Sequence, residues 1–101
     1  MKLQVTALPE SNTLRLMGDL DLYNVETARE ALLNHLSDKR GLELDLSGVE
    51  TCDTAGLQVL LAAQRSAVAS RKAFLIQSPS PAIEKCGERL GLPPITSHPI
   101  D

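Results

Sequence analysis

Leu42–Ala69 reads LELDLSGVETCDTAGLQVLLAAQRSAVA, and its two halves follow different periods. Leu42, Leu44 and Leu46 alternate with Glu43, Asp45 and Ser47, the period of two that sends successive side chains to opposite faces of a strand. From Leu57 onward, Leu60, Leu61, Ala67 and Val68 fall at helical spacing. Ser47-Gly48 has the composition of a turn, with Val49 to Cys52 carrying the chain across to the helix. Asp53-Thr54-Ala55-Gly56 stand at the junction. Either Asp53 or Thr54 fits the N-cap, because a side-chain oxygen there accepts a hydrogen bond from a free N–H of the first turn. Gly56 lets another group approach the backbone closely. The start of a helix carries about half a positive charge and so favours an anion. A phosphate on Thr54 would bring about −1.5 to −2 charges to that spot, beside the Asp53 carboxylate. Helix dipole and neighbouring acid then act in opposite senses, which is the physical basis of a switch.

Outward from this stretch, Leu3, Val5 and Ala7 alternate with Gln4 and Thr6, predicting a strand over Leu3–Leu8 ended by Pro9. Glu10-Ser11-Asn12 is turn chemistry, and Thr13 to Met17 form a second strand; so short a turn predicts an antiparallel hairpin. Gly18 and the acids Asp19 and Asp21 end that strand, with Leu20 and Leu22 anchoring the crossing. Asn24 is the candidate cap of a helix running to Leu36, whose inner stripe is Val25, Ala28, Leu32 and Leu36. His35 stands near this stripe and reads as a packed or half-exposed residue rather than a ligand. Ser37 to Gly41 read as a solvated loop. The central helix is apolar on more than one face: Val59, Ala62, Ala63 and Ala69 add to its inner stripe. This surplus is either a wide buried face or an exposed apolar patch suited to a protein partner. Arg65, Arg71 and Lys72 lie towards its C-terminal end, where cations are favoured. Ala73–Gln77 is a short buried strand. Ser80 then caps a last helix with Pro81 at its first position. Ile83, Cys86 (or Gly87) and Leu90 face inward, Gly91 ends the helix and Pro93-Pro94 prevents its continuation. Ile95-Thr96 would make a brief edge strand, and His98 to Asp101 fray.

The order strand, strand, helix, strand, helix, strand, helix predicts an α/β fold with a mixed four- to five-stranded sheet and three to four helices packed on it. A chain of 101 residues suits one domain over 1–101. Hydrophobic residues make up 43%, enough for an ordinary core, while aromatics at 2% leave little for stacking bases. The net charge of −3 also disfavours nucleic acid and anionic membrane as partners. MKLQVTALPE holds one Lys and no apolar run, so no signal peptide is expected, and no segment reaches the ~20 apolar residues of a membrane span. Cys52 and Cys86 lie in separate elements without metal-like spacing and read as free, partly buried thiols of a reducing cytoplasm.

Several chemistries lack their parts. A nucleophilic triad needs a His base and an orienting acid, and neither His35 nor His98 sits in such a motif. No glycine-rich phosphate loop follows a strand. Asp45 and Asp53 could serve as paired carboxylates, and Asp19, Asp21 and Asp53 could gather Mg²⁺, but their spacing specifies neither. The expectation is no catalytic residue, no metal and no cofactor.

Asp45-Leu46-Ser47-Gly48-Val49, a few residues, then Asp53-Thr54-Ala55-Gly56-Leu57 resembles the signature of the STAS domain, the fold of bacterial anti-sigma factor antagonists. Gly18-Asp19-Leu20-Asp21 is similar to that family's turn before its first helix, as is Ser78-Pro79-Ser80-Pro81 with its helix ending in Leu90-Gly91-Leu92. The resemblance spans nearly the whole chain. It implies a non-enzymatic regulator that binds a serine/threonine kinase anti-sigma factor, is released when that kinase phosphorylates it, and is reset by a phosphatase. By motif Thr54 takes the phosphoacceptor position, with Asp21, Asp53, Ala55, Gly56, Gln58 and Ala62 contacting the partner. Many antagonists carry Ser-Ser or Ser-Thr here, whereas this chain has Thr54-Ala55. That form also resembles STAS subunits of lipid-transport ABC complexes, whose partner would be a transporter ATPase, and STAS proteins of chemosensory clusters.

Overall fold

Among the described residues of a computed structural model, four strands and three helices follow one another as β1 (Gln4–Ala7), β2 (Thr13–Leu20), α1 (Val25–Asp38), β3 (Gly41–Cys52), α2 (Thr54–Ala69), β4 (Ala73–Ser78) and α3 (Pro81–Arg89). The structure describes residues 2–8, 11–38, 41–78, 80–92, 95 and 97. The sheet order is β1-β2-β3-β4, with β1 antiparallel to β2 and the other two pairings parallel. The expected hairpin is therefore present, and so is the mixed α/β sheet. Its turn uses Ser11, whose Oγ accepts from the Thr13 N–H at 3.2 Å. Pro9 and Glu10 lie outside the described residues, as do Lys39, Arg40, Pro79, Pro93, Pro94, Thr96 and His98–Asp101. Ile95 belongs to no strand, so the proposed fifth strand is not formed at the residue where it can be judged.

Strand β3 organises the packing. Leu42, Leu44 and Leu46 are wholly buried and meet Leu32, Leu57, Leu60, Ala67 and Phe74 in one core. The alternate residues lie on the other side of the sheet in a polar ladder. There Arg15 Nε donates to Asp45 Oδ2 at 3.1 Å, and Glu43 Oε2 accepts from Thr13 Oγ1 and Gln77 Nε2, both at 3.2 Å. Helix α1 packs on α2 and α2 on α3, so the helices share one face of the sheet. His35 is buried at the end of α1, its Nε2 hydrogen-bonded to the Asn12 carbonyl at 2.8 Å, which locks the helix to the hairpin.

Two expected breaks are continuous strand. Gly18 does not end β2: it sits at φ +101, where a Cβ would lie 2.6 Å from the Lys2 carbonyl oxygen, and the strand runs on to Leu20. Ser47-Gly48 is no turn either. Arg15 pairs with Asp45 but Met17 with Gly48, so β3 carries one extra residue there, a bulge. The Ser47 N–H and hydroxyl both donate to Asp45 Oδ1, at 3.1 and 2.7 Å, and hold its shape. A second bulge follows at Glu50, and the strand reaches Cys52.

Other boundaries shift less. Helix α1 runs to Asp38, so Ser37 and Asp38 are helical rather than loop. The Leu36 carbonyl near its end accepts from Lys72 Nζ at 2.6 Å. Strand β4 is an edge with only Phe74 buried, not the buried strand expected. Ser80 caps α3 as predicted, its Oγ accepting from the Ile83 N–H at 3.3 Å, and Cys86 and Gly87 face inward. Leu90 is exposed rather than inward, because it is already the C-cap, where the Leu92 N–H turns back to the Gly87 carbonyl at 2.9 Å. On α2, Val68 is exposed and Leu61 half-buried, while Ala63 is buried. The apolar surplus is thus split: Ala63 belongs to the core, Ala62 and Ala69 to the surface.

Two glycines forecast opposite outcomes for one substitution. A Cβ on Gly56 would stand 2.1 Å from the Leu20 carbonyl oxygen, whereas one on Gly87 would meet nothing within 4 Å. Gly56→Ala should cost about 2–4 kcal/mol as backbone is forced apart. Gly87→Ala should add about 0.5–1 kcal/mol from helix propensity alone. Urea unfolding of the two variants checks both signs.

Candidate functional site

The end of β3 delivers Asp53 in extended conformation, φ −115 and ψ −175, immediately before the first residue of α2. Of the two candidate caps, Asp53 is the one used. Its Oδ1 accepts the Gly56 N–H at 2.9 Å. Its Oδ2 accepts the Leu22 N–H, also at 2.9 Å, from the turn that leads out of β2. One carboxylate therefore closes the first turn of α2 and pins the neighbouring β2–α1 turn. The Asp53 main chain adds to the joint: its N–H donates to the Leu20 carbonyl at 3.3 Å and its carbonyl accepts the Leu57 N–H at 3.0 Å.

The pinned turn has its own lock. Asp21 Oδ1 accepts from the Tyr23 N–H at 3.1 Å and from Asn24 Nδ2 at 3.0 Å, and the same Nδ2 reaches the Asp19 carbonyl at 3.0 Å. Asn24 precedes α1 as expected, but its side chain binds backwards into the turn. Sequence reasoning placed Leu22 as an anchor of the crossing; only Leu20 has that role. Leu22 is 63% and Tyr23 92% exposed, and they project from a backbone that hydrogen bonds hold still. A rigid, exposed Leu-Tyr pair beside the Asp53-Thr54 corner is the feature sequence reasoning missed. Its signal was the chain's one tyrosine, set between Asp21 and Asn24, two residues that build turns.

Thr54 is exposed at the first position of α2. Ala55 is half-buried, and Gln58 and Ala62 are exposed. Ala55, Gln58 and Ala62 line a groove of about 340 Å³ between α1 and α2, which Val25, Arg29 and Leu33 line from the other side. The structure thus brings Asp21, Asp53, Thr54 and Ala55 together at one corner, with Gln58 and Ala62 one and two turns along the adjoining groove. Gly56 is corrected. It is buried against Leu20, so it seats α2 on β2 and offers no surface to a partner.

The alternative acid groupings do not assemble. Asp45 faces Arg15 in the sheet, on the order of 20 Å of strand away from Asp53. The Ser47 hydroxyl, then the Ser47 N–H, with Arg15 a smaller influence, hold the Asp45 carboxyl below the usual carboxylate range. Asp19 accepts from Thr51 Oγ1 at 2.8 Å, while Asp21 and Asp53 have the separate donors given above. Among the described residues no three His, Cys, Asp or Glu side chains form a metal-binding group, and no helix is long and apolar enough to cross a membrane.

Cys52, the residue before the cap, is buried, and its thiol is pushed up to about 12, by burial first and then by the charge and hydrogen bond of the Cys86 thiol. Its Sγ donates to the Asp53 carbonyl at 3.5 Å.

Comparison with known proteins supports the fold. A family model described as "Mlab, STAS domain" matches residues 3–95. An anti-sigma factor antagonist from Mycobacterium paratuberculosis superposes with a TM-score of 0.75 at 19% identity, covering 89% of this chain and 79% of that one. The anti-sigma factor antagonist SpoIIAA in its unphosphorylated form gives 0.63 at 19% identity over 85% and 81%. An RsbS variant from Moorella thermoacetica gives 0.62 at 21% identity over 92% and 80%.

Two outcomes follow from this geometry. Asp53→Ala should cost about 1–2 kcal/mol, and native-state hydrogen exchange should quicken at the Leu22 and Gly56 amides together. For Cys52 the raised thiol sets the sign: the unfolded chain ionises near the ordinary 9.0, the folded one only near 12. The contribution is therefore intact below about 9 and is lost as pH rises from there towards 12. Urea midpoints measured across that range should fall less steeply in Cys52→Ala than in the parent.

Proposed function

The chain belongs to the STAS family, and from that premise we propose that it is a non-enzymatic partner-switching protein of the anti-sigma factor antagonist kind. Its partner is a serine/threonine kinase that acts as the anti-sigma factor, and Thr54 is the residue that kinase modifies. A phosphatase restores the unmodified form. The setting is the cytoplasm. The supporting observation is Asp53, whose single carboxylate holds both the start of α2 and the Leu22 turn. A phosphate on Thr54 adds about −1.5 to −2 charges next to that carboxylate. The repulsion weakens the Leu22 and Gly56 hydrogen bonds, so modification at one residue is felt by the whole Leu22–Tyr23 platform. Two added charges within the contact patch also raise the desolvation cost of docking.

In this reading Asp21 and Asp53 shape the contact surface, Tyr23 and Leu22 are its apolar anchors, and Ala55, Gln58 and Ala62 extend it along the groove. An aromatic side chain on a fixed backbone loses little freedom when it docks, which suits it to be an energetic centre.

A second reading is favoured by the same exposed pair. Leu22 and Tyr23 are presented with Thr54 unmodified, so the domain can serve as a constitutive docking subunit, for a transporter ATPase of a lipid-transport ABC complex or for a chemosensory signalling protein.

Incubation with ATP and the serine/threonine kinase encoded nearby should add a single phosphate by intact mass, absent in Thr54→Ala. Thr54→Glu should lower kinase affinity at least tenfold. Phosphate on another residue, or a Thr54→Glu variant that binds as the parent does, would leave the docking-subunit reading. Tyr23→Ala should weaken capture of either partner by about 2 kcal/mol while leaving the urea midpoint nearly unchanged.

A further inference from the structure

The sheet has two edges, β1 and β4, and they are not alike. β1 offers four residues, QVTA, with Gln4, Thr6 and Ala7 exposed. β4 offers six, AFLIQS, with no charge and no proline among them. An edge strand presents a row of main-chain N–H and C=O groups, and charge, proline or brevity usually keeps other strands from pairing with it. β4 carries neither charge nor proline, and its guard comes from elsewhere in the chain.

Alternate residues of a strand turn their main-chain groups to opposite sides. The Ile76 N–H points away from β3, because it donates to Ser97 Oγ at 2.8 Å. Phe74, two residues earlier, has the same outward sense. Yet Phe74 is wholly buried, main chain included. Ile95, two residues before Ser97, packs half-buried against the core. Chain from beyond α3 therefore lies over this edge. It does so without a ladder: among the described residues, no main-chain hydrogen bond joins Ile95 or Ser97 to β4. One hydroxyl stands where the carbonyl of a neighbouring strand would be.

We propose that Ile95 and Ser97 form a clasp over a strand-pairing edge, and that the occupant they exclude is β4 of a second copy of this chain, paired antiparallel across a two-fold axis.

Pairing about a two-fold axis brings each residue close to its own counterpart, so a charged strand would repel itself. Ala73–Ser78 carries no charge and meets that condition. With the axis at Leu75, Phe74 of one copy stands opposite Ile76 of the other, and both turn their N–H and C=O groups outward. Such a pair exchanges both of its N–H···O bonds. The Leu75 side chains share the open face of the sheet with Glu43, are half-buried, and meet across the axis. A main-chain ladder then replaces the Ser97 bond, and two four-stranded sheets become one continuous sheet. The edge lies across β3 from β2 and its Leu22 turn, so the pairing does not depend on modification of Thr54.

Sedimentation velocity over a concentration series, on the full chain, compares the parent with the double variant Ile95→Ser/Ser97→Ala, which opens the clasp. The expected result is a monomer–dimer equilibrium about tenfold tighter in the double variant, with amide exchange at Phe74 and Ile76 slowing as its concentration rises. Leu75→Lys, added to the double variant, sets like charges on the axis and should return it to monomer. Ser97→Ala alone keeps Ile95 on the core and should move the equilibrium the same way by a smaller factor, so the test stands even where the double variant does not fold. The proposal is overturned if the variants that fold, checked by circular dichroism, associate no more tightly than the parent. It is overturned equally if Leu75→Lys leaves the dimer intact, or if species larger than a dimer form, since two-fold pairing of one edge closes.

Discussion

Everything at the functional corner depends on one carboxylate satisfying two backbone donors that come from different parts of the chain. Asp53 accepts from Gly56, three residues on, and from Leu22, thirty-one residues back. The first bond is local and any good N-cap could make it. The second exists only because parallel pairing sets the end of β2 beside the end of β3, with Leu20 opposite Cys52. The sheet thus brings the β2–α1 turn within reach of the α2 cap. Gly56 completes the arrangement, since any side chain there would push α2 off the Leu20 carbonyl and carry Asp53 away from Leu22.

This dependence explains which parts could be read in the sequence. Features with a local cause were legible. The Leu42–Leu46 alternation, a cap at Asp53 or Thr54 and the Ser80-Pro81 start of α3 each follow from the nearest few residues, and the structure has all three, with Asp53 as the cap. The corner residues Asp53 and Thr54 were legible for the same reason. The failures share a non-local cause. Ser47-Gly48 has turn composition, but a bulge wants the same residue types, and only the register against β2 decides between them. Gly18 similarly has the composition of a stop, yet pairing with Val49 carries the strand on, and the Lys2 carbonyl occupies the space a side chain would need. Leu22 reads as an anchor of the crossing, and Leu90 as inward in line with Ile83 and Cys86. Their exposure follows from a turn pinned by Asp21 and Asp53 and from the C-cap of α3, neither of which periodicity can see.

The same distinction bears on the site's apolar surface. The surplus of small residues on α2 left two possibilities open, and burial divides them: Ala63 is buried and Ala62 exposed, although both border the groove. The groove by itself offers little chemistry, its lining being mainly alanine, valine and leucine with Glu26, Arg29, Gln58 and Ser66 among them. What gives the corner direction is the contrast between that soft surface and a turn whose Leu22, Tyr23 and Asn24 N–H groups are all hydrogen-bonded. Leu22 and Tyr23 are exposed on a hydrogen-bonded backbone, and that combination is what the proposed docking role draws on.

Magnitudes decide whether a phosphate at Thr54 could operate such a device. Thr54 is exposed, so the effective dielectric there is closer to water than to protein interior. Two charges at about 6 Å from one carboxylate then repel by about 1–2 kcal/mol near the water limit and about 5 kcal/mol at an effective dielectric of 20. The two charge-assisted hydrogen bonds that Asp53 makes are worth about 1.5–3 kcal/mol each. The repulsion is therefore comparable to one bond and smaller than the fold's stability, typically about 5–15 kcal/mol. It can free Leu22 from Asp53 without unfolding α2, whose cap keeps its local partner and whose apolar face stays buried in the core. Asp53 would divide the effect unequally for a geometric reason: the Gly56 bond lies within one rigid turn, whereas the Leu22 bond joins two segments that can separate. In the proposed switch the long-range bond is therefore the one that yields, and the platform it holds is the part a partner would meet.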